Sequence, residues 1–369
     1  MVRNSRPRSP AHLILPHLRS LKHYEGVDPV EVLAQRAGIP PEQVIKLDGN
    51  ENPYGPSPRV LETLARFRDY HRYPDPSQRR IRAALADHTG MESERIVATS
   101  GADELIDLLV RLLVAPGEAV LVVSPTFGMY AFNAQVSGGR VMEVERDEEF
   151  DIDVAAVKGA LDSSVKLIFI ASPNNPTGNA ATEEQVRWLL ELGPAVVVDE
   201  TYHDFYGGTV LPLVREYPNL VVLRTLSKWA GLAGLRVGFG VMDPEVAQVM
   251  LAMKPPYNVN LAAEVALLAS LEDREFLLGR VREIVRERER FFALLQQVPG
   301  LKPWPSQGNF ILCQLPQGQG KATYEALARR GIVVRYFDTP RLRDCIRITV
   351  GLPHQDDAVV EALQALLKE

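Results

Sequence analysis

From about residue 57 to 250, short β-branched runs alternate with amphipathic stretches of helical period, and this alternation limits the available folds more than any other feature. A strand, a helix and a second strand in succession form a crossover. Repeated crossovers build a mostly parallel sheet covered by helices, so the expected class is α/β. Strands are expected over 95–99, 119–123, 140–144, 166–170, 195–199, 220–224 and 236–241. Helices are expected between them over 102–114, 127–137, 182–192 and 244–253. After residue 258 the pattern changes to a helix reaching about 271 and a long amphipathic helix carrying Phe276, Val281, Ile284, Val285, Phe292 and Leu295. A strand over 310–315, a helix over 321–330, strands over 332–335 and 345–350, and a closing helix over 355–367 complete a smaller α+β unit. The expected division is an N-terminal arm with part of the small domain over 1–45, a large domain over 46–257 and a small C-terminal domain over 258–369.

The 369 residues are enough for two or three structural units with a cleft between them. A net charge of −6 with intermixed signs gives no basic footprint, which speaks against nucleic-acid binding. The alternating charges of 280–290 read as the solvated face of a helix. No apolar run approaches the roughly 18 residues of a membrane span. Arg3, Arg6 and Arg8 precede an apolar stretch that is too short for a signal peptide and is interrupted by Pro16, so a cytoplasmic location is expected. Cys313 and Cys345 fit two buried thiols in a reducing compartment better than a disulfide framework.

The chemistry gathers where strands end. Lys228 follows a β-branched run within Thr225-Leu226-Ser227-Lys228. A lone lysine is ordinarily a surface charge, but apolar surroundings lower the proton affinity of an amine and suit a Schiff-base lysine. Asp199 ends Ala195-Val196-Val197-Val198, at the carboxyl edge where open α/β sheets bind ligands. Alone it could be a turn or cap residue. Together with Lys228 and Tyr202 it suits a carboxylate held against a cationic heterocycle such as pyridoxal phosphate. Ser172-Pro173-Asn174-Asn175-Pro176-Thr177-Gly178 is a stiff loop that presents Asn175 as a donor. Gly101, Ala102 and Asp103 open a helix directly after a strand, and with Thr225, Ser227 and Arg236 they make a phosphate cup.

These motifs, with Asp48-Gly49-Asn50-Glu51-Asn52-Pro53-Tyr54-Gly55-Pro56 and Arg72-Tyr73-Pro74-Asp75, resemble the fold-type I pyridoxal-phosphate aminotransferases, and among them the histidinol-phosphate aminotransferases. The resemblance runs from about residue 24 to the C-terminus. It implies a large domain with a mostly parallel seven-stranded sheet plus a smaller α+β domain, and pyridoxal 5'-phosphate as cofactor. It further implies that Lys228 is both cofactor anchor and general base, that Asp199 pairs with the pyridinium, and that Asn175 and Tyr202 bond the ring hydroxyl oxygen. Phe127 matches the aromatic stacked on the ring, and Tyr54 the residue a neighbouring subunit of a homodimer offers to the phosphate. On the substrate side it implies Arg347 and Arg335 for the anionic group, Asn175 beside them, and Tyr24 closing over the site, although His23 stands where relatives have proline. The implied reaction exchanges an amino group between histidinol phosphate and 2-oxoglutarate, giving imidazole acetol phosphate and glutamate.

An aromatic amino-acid aminotransferase and a threonine-phosphate decarboxylase share the cofactor motifs and differ only on the substrate side. A cofactor-fold protein without turnover should lack Lys228 or Asp199. A dehydrogenase is disfavoured because Gly238-Phe239-Gly240 has Asp243 where a third glycine belongs. The seven histidines form no helical zinc pair, so no metal is expected.

Overall fold

The β-branched runs become strands because the centre of a helix-covered sheet buries both of their faces. A computed structural model, which describes residues 9–21 and 26–367, shows β1 (Ile45–Lys46) followed by seven strands: β2 (Ile96–Thr99), β3 (Ala119–Ser124), β4 (Arg140–Glu145), β5 (Val165–Ala171), β6 (Ala195–Asp199), β7 (Leu220–Thr225) and β8 (Gly238–Val241). These seven form one sheet in the order β2-β8-β7-β6-β5-β3-β4. Only β8 runs antiparallel to its neighbours. Alternate residues enter two cores. Leu121, Ile168, Val196 and Val222 pack under helices Pro58–Arg66, Arg79–Thr89 and Glu183–Leu190, whereas Val122, Phe169, Val197 and Leu223 pack under Gly101–Leu113 and Met129–Val136. The edge strand β4 instead exposes Arg140, Glu143 and Glu145.

Gly238 is needed where β8 passes under the helix Gly101–Leu113. A Cβ there would lie 3.0 Å from Ala102 N and from Arg224 O. The parallel strands therefore end side by side, and the segments after β2, β3, β5, β6 and β7 converge on one edge.

The smaller sheet has the order β12-β13-β10-β9, from β9 (Lys302–Pro303), β10 (Phe310–Gln314), β12 (Arg335–Tyr336) and β13 (Cys345–Thr349). The single strand expected over 332–335 is two. β11 (Ile332–Val333) pairs in parallel with β1, and after Val334 the chain changes partner so that β12 pairs with β13. One stretch of extended backbone thus serves two sheets, a choice made by distant partners and not by local pattern. Helices Gly320–Arg329 and Pro353–Leu367 cover the core of Ile311, Cys313, Ile346 and Ile348. Cys313 pairs in register with Ile346 and Cys345 with Gln314. The pleat therefore places the two cysteines on opposite faces, and both are free and buried.

The helix Leu261–Glu272, begun by the Asn260 side chain accepting from Ala263 N at 2.9 Å, packs on Pro58–Arg66 and Arg79–Thr89. Its Ala263, Ala266 and Leu267 join the core beneath the large sheet. The charged stretch 280–290 of helix Arg274–Leu295 is only partly solvated. Glu287 and Arg288 are buried, Arg288 donates to Gly308 O at 3.0 Å, and Arg290 reaches Glu287 at 2.7 Å. Charge alternation alone cannot reveal that a second helix will dock there. Among the described residues no helix is long and apolar enough to cross a membrane.

Candidate active site

A cleft of about 900 Å³ opens at the carboxyl edge of the large sheet and is walled by β12 and β13 of the smaller one. β7 delivers Lys228 to it. The Lys228 Nζ donates to Gly49 O at 2.8 Å, and burial, then the Arg347 charge, lowers its pKa from 10.5 to about 8. A substantial neutral fraction near pH 8 is what a nucleophile or proton carrier would need.

β6 delivers Asp199, 5% exposed. Burial raises its pKa, and two donors oppose that effect: Tyr130 Oη to Oδ2 at 2.7 Å and Thr201 N to Oδ1 at 3.0 Å. Tyr130 is itself fully buried and stacked on Phe169 at 4.6 Å, with Phe127 edge-on to it at 5.6 Å. Phe127, just before the helix Met129–Val136, lines the cleft, and Tyr130 in its first turn supports the floor. Tyr130 was not singled out in the sequence. The spacing within Phe127-Gly128-Met129-Tyr130 was its only signal.

Tyr202 lies beyond Asp199, edge-on to Phe310 at 5.0 Å, and its Oη accepts from Asn50 Nδ2 at 2.8 Å. Asn50, buried and at φ 51°, is tied to Thr349 by two bonds of 3.0 and 3.1 Å and to Asn309 by a third of 3.0 Å. Asn50 is a second residue missed as a member of the site, though its motif was visible. Segment 45–50 is threaded along β11 and then β13, through Leu47 N to Val333 O at 2.7 Å and Thr349 N to Leu47 O at 2.9 Å.

Asn174 and Asn175 divide the work of their loop. Asn174 is fully buried and bonds Pro125 O, Thr126 and Thr177 at 2.7–2.9 Å, fixing the turn. Asn175 faces the cleft, and its Oδ1 accepts from Arg347 Nη1 at 2.6 Å. Arg347, 6% exposed, also donates to Asp48 O and lies near the rings of Phe310 and Phe337 at 5.5 and 5.9 Å. Arg335 stands opposite Arg347 in register on β12, lines the same cleft and donates to Gly26 O at 3.1 Å.

The cup is built from Ala102 and Asp103 at a helix start, Thr225 and Ser227 with hydroxyls 2.9 Å apart, and Arg236. Arg236 pairs with Asp103 at 3.0 Å. Gly101, at φ 80°, leaves the space a Cβ would need to the Arg236 guanidinium. Tyr54 does not line the cleft of its own chain. It packs under Arg280, whose guanidinium lies 4.7 Å from its ring centre. Tyr24 and His23 lie outside the described residues.

The donor set fits pyridoxal phosphate. The cup offers backbone N–H groups, hydroxyls and a guanidinium to a dianion, a buried carboxylate waits for a cationic ring nitrogen, and a low-pKa amine waits for a carbonyl. Residues 42–366 match the family model described as aminotransferase class I and II. The chain belongs to that family. This aminotransferase is 47% identical to a histidinol-phosphate aminotransferase of Roseiflexus castenholzii over 97% of this chain and 99% of the relative. It is 46% identical to one of Dehalococcoides mccartyi over 87% of this chain and 90% of the relative. The histidinol-phosphate aminotransferase of Sinorhizobium meliloti, solved in complex with pyridoxal-5'-phosphate, superposes with a TM-score of 0.87 at 26% identity, covering 96% of this chain and 97% of that one.

Proposed function

We propose that this aminotransferase moves the amino group of L-histidinol phosphate to 2-oxoglutarate, giving imidazole acetol phosphate and glutamate in histidine biosynthesis. The observation that carries the substrate reading is the pairing of Arg335 and Arg347 across β12 and β13 at one wall of the cleft. Two planar cations side by side suit the phosphate of one substrate and the carboxylate of the other. The names of the curated relatives support the same choice over the aromatic and decarboxylase alternatives.

Bound pyridoxal phosphate supplies a reactive carbonyl carbon and an electron sink. The chain's residues do the rest. Lys228 would anchor the carbonyl and, once free, would be the base that holds and moves a proton at the substrate α-carbon. Asp199, which accepts from Thr201 N and Tyr130 Oη, would face the ring nitrogen and favour its protonated form. Arg347 occupies Asn175 Oδ1, which turns the Asn175 Nδ2 into the donor for the ring hydroxyl oxygen, and Asn50 orients Tyr202 for the same oxygen. Gly101, Ala102, Asp103, Thr225, Ser227 and Arg236 hold the phosphate, and Phe127 stacks on the ring.

A homodimer belongs to the same proposal, with Tyr54 offered to the neighbouring site. Its position outside its own cleft supports this. A cytoplasmic location agrees with the two buried free thiols. For the domains we propose an arm with part of the small domain over 1–45, a large domain over 46–257 and a small one over 258–369, with the helix Leu261–Glu272 packing into the large core.

The test is a single-turnover half-reaction on the cofactor-loaded enzyme with histidinol phosphate and phenylalanine in turn, following the visible absorbance of the lysine-bound cofactor. Faster conversion with histidinol phosphate is expected. Faster conversion with phenylalanine would overturn the substrate reading.

A further inference from the structure

We propose that Glu104 is a positioning residue for the phosphate cup, acting through a brace it forms with Asn258 and Gln78. The inference rests on the reading of Ala102 and Asp103 as part of the cofactor's phosphate site. Glu104 lies in the first turn of the helix Gly101–Leu113, where its negative charge would oppose an anion at the same helix start. The structure directs that charge elsewhere. Glu104 Oε2 accepts from Ser100 N at 2.5 Å and from Asn258 Nδ2 at 2.8 Å. Ala102 and Asp103 line the cleft, whereas Ser100 and Glu104 do not.

The brace is anchored on the sheet. β2 is an edge strand, so the outer N–H and C=O of Ala98 lack a strand partner, and the Gln78 amide takes both, at 3.0 and 2.8 Å. Gln78 Nε2 also donates to Asn258 Oδ1 at 2.9 Å, and Asn258 Nδ2 lies 3.2 Å from Ala98 O. Lys254 holds the two loops together, with its Nζ 3.1–3.4 Å from the carbonyls of Pro76, Pro255 and Pro256. A turn pivoting on Gly101, at φ 80°, has freedom to lose when a phosphate binds. A carboxylate locked to Ser100 removes that freedom beforehand, which is preorganisation.

A simple helix cap would support folding without regard to the ligand, whereas this brace should act on the phosphate. The experiment measures binding of pyridoxal 5'-phosphate and of pyridoxal to the cofactor-free full chain, for wild type, Glu104→Ala, Glu104→Gln and Asn258→Ala. Glu104→Ala should weaken the phosphate ester about tenfold and leave pyridoxal within about twofold. Glu104→Gln, which still accepts from Ser100, should recover to within about threefold, and Asn258→Ala should fall between. Equal losses for both ligands, no loss, or no recovery with glutamine would overturn the proposal. Wild type that fails to prefer the phosphate ester would instead remove the cup reading itself. Should Glu104→Ala not fold, a phosphate-selective loss in Asn258→Ala with near-normal Glu104→Gln supports the brace, and any other pattern overturns it.

Discussion

Burial raises the Asp199 pKa, and the hydrogen bonds from Thr201 and Tyr130 oppose that effect. Tyr130→Phe leaves Oδ2 buried without that donor, and a hydrogen bond to a charged group contributes about 1.5–3 kcal/mol. The carboxylate then becomes more basic and would support a protonated ring nitrogen less well, which would weaken the electron sink. The expected result is a kcat about tenfold lower or more with KM for 2-oxoglutarate nearly unchanged, since the arginine end is untouched. Steady-state kinetics checks it, and a raised KM at normal kcat would count against it. Lys228 gives a pH dependence of definite sign. Burial and the Arg347 charge both disfavour the ammonium, so below about pH 8 the reactive neutral fraction rises tenfold per pH unit and above it the fraction saturates. Cofactor uptake by the free enzyme, followed by stopped-flow absorbance, should climb and level accordingly. A flat profile would show that this amine does not limit uptake.

The closing helix Pro353–Leu367 docks on Arg274–Leu295, and the contact includes a pair of acids beside the apolar Phe291, Leu295, Val359 and Leu363. Asp356 is fully buried and accepts from Gly351 N at 2.9 Å, close to Glu287, which Arg290 grips at 2.7 Å. Burial first, and the Glu287 carboxylate with it, pushes the Asp356 pKa well above the ordinary carboxyl value. The folded chain therefore holds a proton that the unfolded chain releases above about pH 4. This contribution to stability is complete below the unfolded pKa and is lost as pH rises through the folded one. Asp356→Asn mimics the protonated acid without titrating, so its melting temperature should gain on wild type as the pH is raised from about 5 to 8. Equal melting curves at both pH values would remove the acid pair as a titrating contact. The amphipathic period of 355–367 and the β-branched runs were legible as elements because burial imposes periods on a sequence. The exchange of partners at Val334 and the burial of Glu287 and Arg288 were not, because each depends on what packs against the element from far along the chain.

For the molecule as a whole, the proposed dimer makes activity a property of two chains. Activity measured across a dilution series should fall in step with the dimer fraction seen by sedimentation. A fully active monomer would show that Tyr54 serves no neighbouring site. The order of strands could not be read from the chain, only their number and mostly parallel character, because crossover length does not say which neighbour a strand will take.

Lys228, Asp199, Asn175 and the Gly101–Asp103 turn were all legible as candidates for one physical reason: each lies at or within four residues of the end of a hydrophobic strand, at the ligand edge of a mostly parallel sheet. What these residues touch was not. Tyr130 meets Asp199 across 69 positions, Asn50 meets Tyr202 across 152, and Arg347 meets Asn175 across 172. Local pattern governs which segments become buried strands and helices. The proton affinities and donor directions of the site arise only when packing brings those distant side chains within hydrogen-bonding distance and excludes water around them.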